Sequence, residues 1–64
     1  MTYSITFTRR GFIASVHHYV KADAPITAAA QATLWADAGW SLCEVRDHET
    51  GELCGAFKPA NLTA

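Results

Sequence analysis

The chain carries no acidic residue before Asp23. Arg9, Arg10 and Lys21 are the only charges of its first third, while the remainder holds six acids against two bases, Arg46 and Lys58. Net charge is −1, so there is no global basic field to gather nucleic acid, and nucleic acid is not the expected partner. Cysteine is equally scarce. Cys43 and Cys54 are the whole supply, and stapled secreted mini-proteins typically carry at least about four. There is no Cys-x-x-Cys and no histidine pair at helical spacing, so no metal and no other cofactor is expected. Adjacent His17 and His18 point to opposite faces of a strand and cannot share one ion without a bulge. No apolar run approaches the roughly 18 residues of a membrane span. Residues 2–8 alternate polar and apolar and do not read as a leader peptide. The expected compartment is the cytoplasm, with both thiols reduced and no membrane partner.

What the chain does have is alternation, alanine and two glycine-closed turns. Its 64 residues suit a single domain, with 50% apolar and 17% charged residues marking a folded chain. Tyr3, Ile5 and Phe7 alternate with threonine and serine, the pattern of a half-buried strand. With Gly11 closing a four-residue loop, Phe7 faces Phe12. Phe12, Ala14, Val16 and Val20 then join the core face, with His18 among them. Asp23 is placed to cap a helix and Pro25 suits its first turn. The helix spans 24–38, rich in alanine, with Ile26, Ala30, Leu34 and Ala38 as a stripe toward the sheet, Ala29 and Thr33 beside them, and Gly39 as its stop.

The second hairpin, 40–58, has two registers. A four-residue loop pairs Asp47 with Glu52 and groups Cys43, Val45, Cys54 and Ala56. A three-residue loop with a glycine bulge pairs His48 with Glu52, grouping Cys43, Val45, Leu53 and Phe57. The second is preferred because it gathers the larger apolar residues and leaves Glu44 and Arg46 outside. It turns Trp40 and Leu42 outward, near Glu44. Residues 59–64 read as a loose tail after Pro59. The expected fold is α+β, two β-hairpins flanking one α-helix (β-β-α-β-β), with the helix on an antiparallel or mixed four-stranded sheet.

The thiols and histidines do not form a nucleophile with a base in a pocket, and a chain this small has little room for one, so an enzyme is not expected. Glu44, Asp47, Glu49 and Glu52 gather at the second hairpin. They serve turn chemistry or form an acidic patch aimed at a basic partner surface, and both readings can hold at once. Trp35 and Trp40 flank the helix end and close the end of the small core, or anchor a partner where exposed; in the preferred register Trp40 and Leu42 are the candidate anchors beside the acids. The alternative is a small nucleic-acid-binding or regulatory domain in which Arg9, Arg10 and Lys21 contact phosphates. A third is a structural domain that forms homodimers through an open sheet edge.

Small size, the β-β-α-β-β order and an acidic second half together resemble small phage-encoded anti-CRISPR inhibitors. The resemblance implies a compact α+β domain that blocks a nucleic-acid-binding effector complex by occupying its basic surface. It implies a protein partner and occlusion by steric and electrostatic means rather than catalysis; the small size of the chain leaves monomer and homodimer both open.

Overall fold

Alternation in the first eight residues builds the strand on which everything else is hung. The computed structural model describes residues 1–36 and 38–62; Asp37, Thr63 and Ala64, which the expected helix and tail include, lie outside the described residues. The elements run β1 (Thr2–Arg9), β2 (Phe12–Lys21), α1 (Pro25–Ala32), β3 (Leu42–Asp47), β4 (Leu53–Phe57) and α2 (Pro59–Leu62). The four strands form one antiparallel sheet in the order β2-β1-β3-β4. The expected α+β fold is present, and the sheet is antiparallel throughout.

Tyr3, Ile5 and Phe7 of the central strand β1 are buried together with Val20, Cys43 and Val45, and α1 covers them with Ala28, Ala29 and Ala32. Each fully buried aliphatic or aromatic side chain contributes about 1.5–3 kcal/mol. The helix is shorter than its alanine content suggests. After Ala32 the backbone tightens: Leu34 N donates to Gln31 O and Trp35 N to Ala32 O, three residues back rather than four. Its sheet-facing side keeps only the margin of the expected stripe: Ala29 is buried and Thr33 partly so, while Ile26, Ala30, Leu34 and Ala38 are all exposed. Tyr3 and Phe7, with the partly buried rings of Trp40 and Phe57, already fill the sheet surface and leave room for methyl groups only. Asp23 makes no cap; Ala24 is the N-cap and Pro25 opens the helix as expected. The expected tail contains the single turn α2, whose Leu62 packs on the core.

The first hairpin departs from the expected register. Arg9 pairs with Phe12 across a two-residue turn, Arg10-Gly11, whose φ angles of 52° and 83° are both positive. This is the two-residue turn whose twist matches that of the flanking strands. Two bulges follow in β2. Thr8 pairs with Ile13 and Phe7 with Ser15, leaving Ala14 extra; Ile5 pairs with His17 and Tyr3 with Val20, leaving Ser4 opposite both His18 and Tyr19. Phe12 and Val20 therefore stay on the helix side, but Val16 and His18 do not. Ser15 and His17 take their places.

The second hairpin combines both registers. At the tip, Asp47 N donates to Glu52 O and Gly51 N to Asp47 O, as in the four-residue loop. Arg46 pairs with Leu53, then Cys54 bulges, and Val45–Gly55 and Cys43–Phe57 follow the other register. Glu44 and Arg46 are outside as preferred. Leu53, expected inside, is turned out with Arg46.

Candidate functional site

Because β1 and β3 run antiparallel, the two hairpin turns lie at opposite ends of the sheet. Arg9 and Arg10 mark one end. At the other, Lys21 pairs with Thr2, and Thr2 lines a small hollow with Met1, Asp47 and Glu49. The basic set expected from sequence is thus divided, with Lys21 beside the acidic turn.

The acidic residues have local work. Asp47 Oδ1 accepts from Glu49 N at 2.8 Å and Thr50 N at 3.2 Å, closing the turn. Glu44 pairs with Arg46 (Oε2–Nη2 3.4 Å), and Arg46 Nη1 also donates to Gly51 O at 3.2 Å. Glu49 and Glu52 remain exposed at the tip. Trp40 is not an outward anchor: its ring packs on Phe7 at 4.8 Å and is partly buried against the core. Leu42 is half-buried and pairs with Thr8 on the face away from the helix.

That helix-free face has its own contents. An antiparallel sheet with one solvated face normally presents polar residues there. Here Ile13 (69% exposed), Val16 (41%) and Tyr19 (69%) project from β2, with Leu53 (48%) from β4. Between them β1 offers Thr2, Ser4, Thr6 and Thr8, and β3 offers Leu42 with the Glu44–Arg46 ion pair, so the apolar residues gather on β2 with Leu53 at the far edge. Ser4 Oγ lies 2.6 Å from His48 Nδ1 and 3.3 Å from His18 Nδ1. One hydroxyl proton can serve only one imidazole, so the other must donate to the oxygen. The Tyr19 ring lies 4.1 Å from that of His48. Tyr19 holds φ at 62°, a left-handed conformation rare for a bulky residue, with a cost of about 1–2 kcal/mol. The bulges that create this face escaped the sequence reading, because β2 is apolar on both faces and alternation alone does not fix its register.

Behind the face, Ser15 Oγ and His17 Nε2 are buried with no hydrogen-bond partner among the described residues. Burial, and then the neighbouring Glu44 carboxylate, push the Cys43 thiol up to about 11, which leaves it protonated and inert at neutral pH. Cys54 is exposed at its bulge, its Sγ donating to Glu52 O at 3.5 Å. Among the described residues no three His, Cys, Asp or Glu gather as a metal site, and no helix is long and apolar enough to cross a membrane. Compared with known proteins, the chain matches no family model, no curated protein and no solved structure.

Proposed function

We propose that this chain is a non-enzymatic protein-binding module, and that the helix-free face of its sheet is the binding surface. The observation that carries this is the exposure of Ile13, Val16, Tyr19 and Leu53 on a face that an unpartnered sheet would keep polar. The partner is another protein with an apolar patch, large enough to cover β2 and the threonine row of β1. Glu49 and Glu52, free at the tip, steer it through a basic rim and set the rate of encounter more than the affinity. Occlusion of a cytoplasmic effector complex, as in the phage inhibitors the chain resembles, is the biological form this reading takes.

Val16→Lys tests it. The position faces solvent, so the thermal melt should hardly move, while capture of the partner from host lysate should be lost. Glu49→Lys should slow association and leave the complex able to form. Capture by Val16→Lys equal to that of the parent chain removes the face from the argument. Light scattering distinguishes the homodimer alternative: a parent dimer that Val16→Lys dissociates means that the face is covered by a second copy.

A further inference from the structure

The end of the sheet away from the acidic turn holds an open cleft of about 750 Å³, lined by Arg9, Arg10, Phe12, Gly39 and Ser41. That volume falls among the ~300–1,000 Å³ pockets that accept a small organic ligand. Arg9 is fixed in it. Its Nη1 donates to Ala38 O at 3.2 Å and lies close over Gly39, where an added Cβ would sit 3.3 Å from that nitrogen and the guanidinium would have to give by a few tenths of an ångström. Most of its five N–H donors remain for a ligand. Arg10 projects from the turn, its backbone N donating to Ser41 Oγ at 3.4 Å. Phe12 is 77% exposed, and no ring among the described residues stacks on it. None of the described lining residues is acidic.

We infer that this cleft is a binding site for the phosphate and base of a nucleotide within single-stranded nucleic acid. Arg9 and Arg10 each hold one of the two phosphates that flank the nucleotide, and its base stacks on Phe12. Guanidiniums match phosphate geometry through paired donors. An aromatic face takes any base, and the open shape lets a strand pass through. A phosphotyrosine side chain has the same two chemical parts, but a cleft open along its side gives its ring no wall opposite Phe12. The site is separate from the proposed protein-binding face, since Phe12 pairs with Arg9 and lies on the opposite face of β2 from Ile13, Val16 and Tyr19.

The test is fluorescence anisotropy with a labelled oligothymidylate of about ten nucleotides, titrated between roughly 20 and 200 mM salt. Two phosphate contacts on a single strand predict a slope of log K against log salt near about −1.4. Arg10→Asn should bring the slope to about −0.7. Phe12→Ala should weaken binding by about 5- to 100-fold with the slope unchanged. Thymidine monophosphate as competitor separates the sources of the shared chemistry. Competition near the affinity of the strand means that the cleft holds a single nucleotide, and competition only at far higher concentration means that it holds a chain. Either result supports the site. Circular dichroism confirms that both variants fold. The inference is overturned if no anisotropy change occurs at low salt, if Arg10→Asn leaves the slope alone, if Phe12→Ala binds as the parent does, or if a phosphotyrosine peptide binds more tightly than the oligonucleotide.

Discussion

His17 and His18 are neighbours in sequence and should respond oppositely to the same substitution. His17 pairs with Ile5 on the helix side of β2, its ring 5.9 Å from that of Phe7 and 6.0 Å from that of Trp35, with Nε2 buried and unpartnered among the described residues. A buried polar atom without a partner costs about 1–3 kcal/mol. Leucine removes that atom and keeps apolar volume against Phe7, so His17→Leu should stabilise by about 1–2 kcal/mol. For a domain of this size each kcal/mol is about 4–8 °C in Tm. With a urea m-value near about 1 kcal/mol/M, the denaturation midpoint should rise by about 1–2 M at constant m. His18→Leu should do the reverse. It deletes the ring that shares Ser4 Oγ on the other face, at a cost of about 0.5–1.5 kcal/mol. Ser15→Ala, which removes the second orphaned atom, should stabilise by up to about 1 kcal/mol. If the His17→Leu midpoint is unchanged or lower while His18→Leu is neutral, the assignment of these two histidines to opposite faces is wrong.

Three further outcomes concern the turn and the thiols. Arg10→Asn should raise the thermal midpoint by the equivalent of a few tenths to about 1 kcal/mol, because asparagine tolerates the positive φ that arginine holds there under strain. An alkylating reagent at pH 8 should modify Cys54 in the native protein and Cys43 only on unfolding, giving a single adduct by mass spectrometry. The raised Cys43 thiol also sets a pH dependence: its contribution is fully present below the unfolded value of 9.0 and is lost as pH rises toward about 11. The loss is on the order of 2 kcal/mol, and it should be missing from the Cys43→Ala variant when urea melts at pH 8 and pH 10.5 are compared.

The sequence makes β1 plain because its two faces are chemically different: Tyr3, Ile5 and Phe7 against four short hydroxyl residues. The same logic fails for β2, where Phe12, Ile13, Val16, Tyr19 and Val20 are spread over both faces and two bulges reverse the alternation. Neither bulge leaves a mark in the pattern, since Ala14 fits either side and Tyr19 is a poor candidate for a left-handed residue. In the second hairpin, Asp47 caps the turn in one register while the pairing of Cys43 with Phe57 requires the other, and Cys54 absorbs the difference. Alanine propensity located the helix but could not end it. The bulk of Tyr3, Phe7, Trp40 and Phe57 selects alanine over Ile26 and Leu34 for the contact, and propensity does not contain that information. Of the residues expected from sequence to meet a partner, Trp40 packs inward instead, because it lies just outside β3, where strand alternation no longer governs.

The bulges in β2 also bear on why such a register should persist. They place Ser15 and His17 under the helix, turn Ile13 and Val16 to solvent, and hold Tyr19 at positive φ. Each of these is unfavourable for the isolated chain, and together they amount to several kcal/mol against a total stability of about 3–10 kcal/mol for a domain of this length. β1 and β3 carry no buried unpartnered side chain among the described residues and no residue at positive φ. Such costs persist where the surrounding structure enforces them, and they tend to collect where a surface is used. A partner that covers Ile13, Val16 and Tyr19 would recover part of what β2 gives up. The His17→Leu and Ser15→Ala variants then become a second test of that surface. They should stabilise the free chain without touching the exposed side chains, so partner capture should survive. If capture is lost with the exposed face intact, the polar atoms behind β2 matter to binding through the shape of the strand rather than through contact.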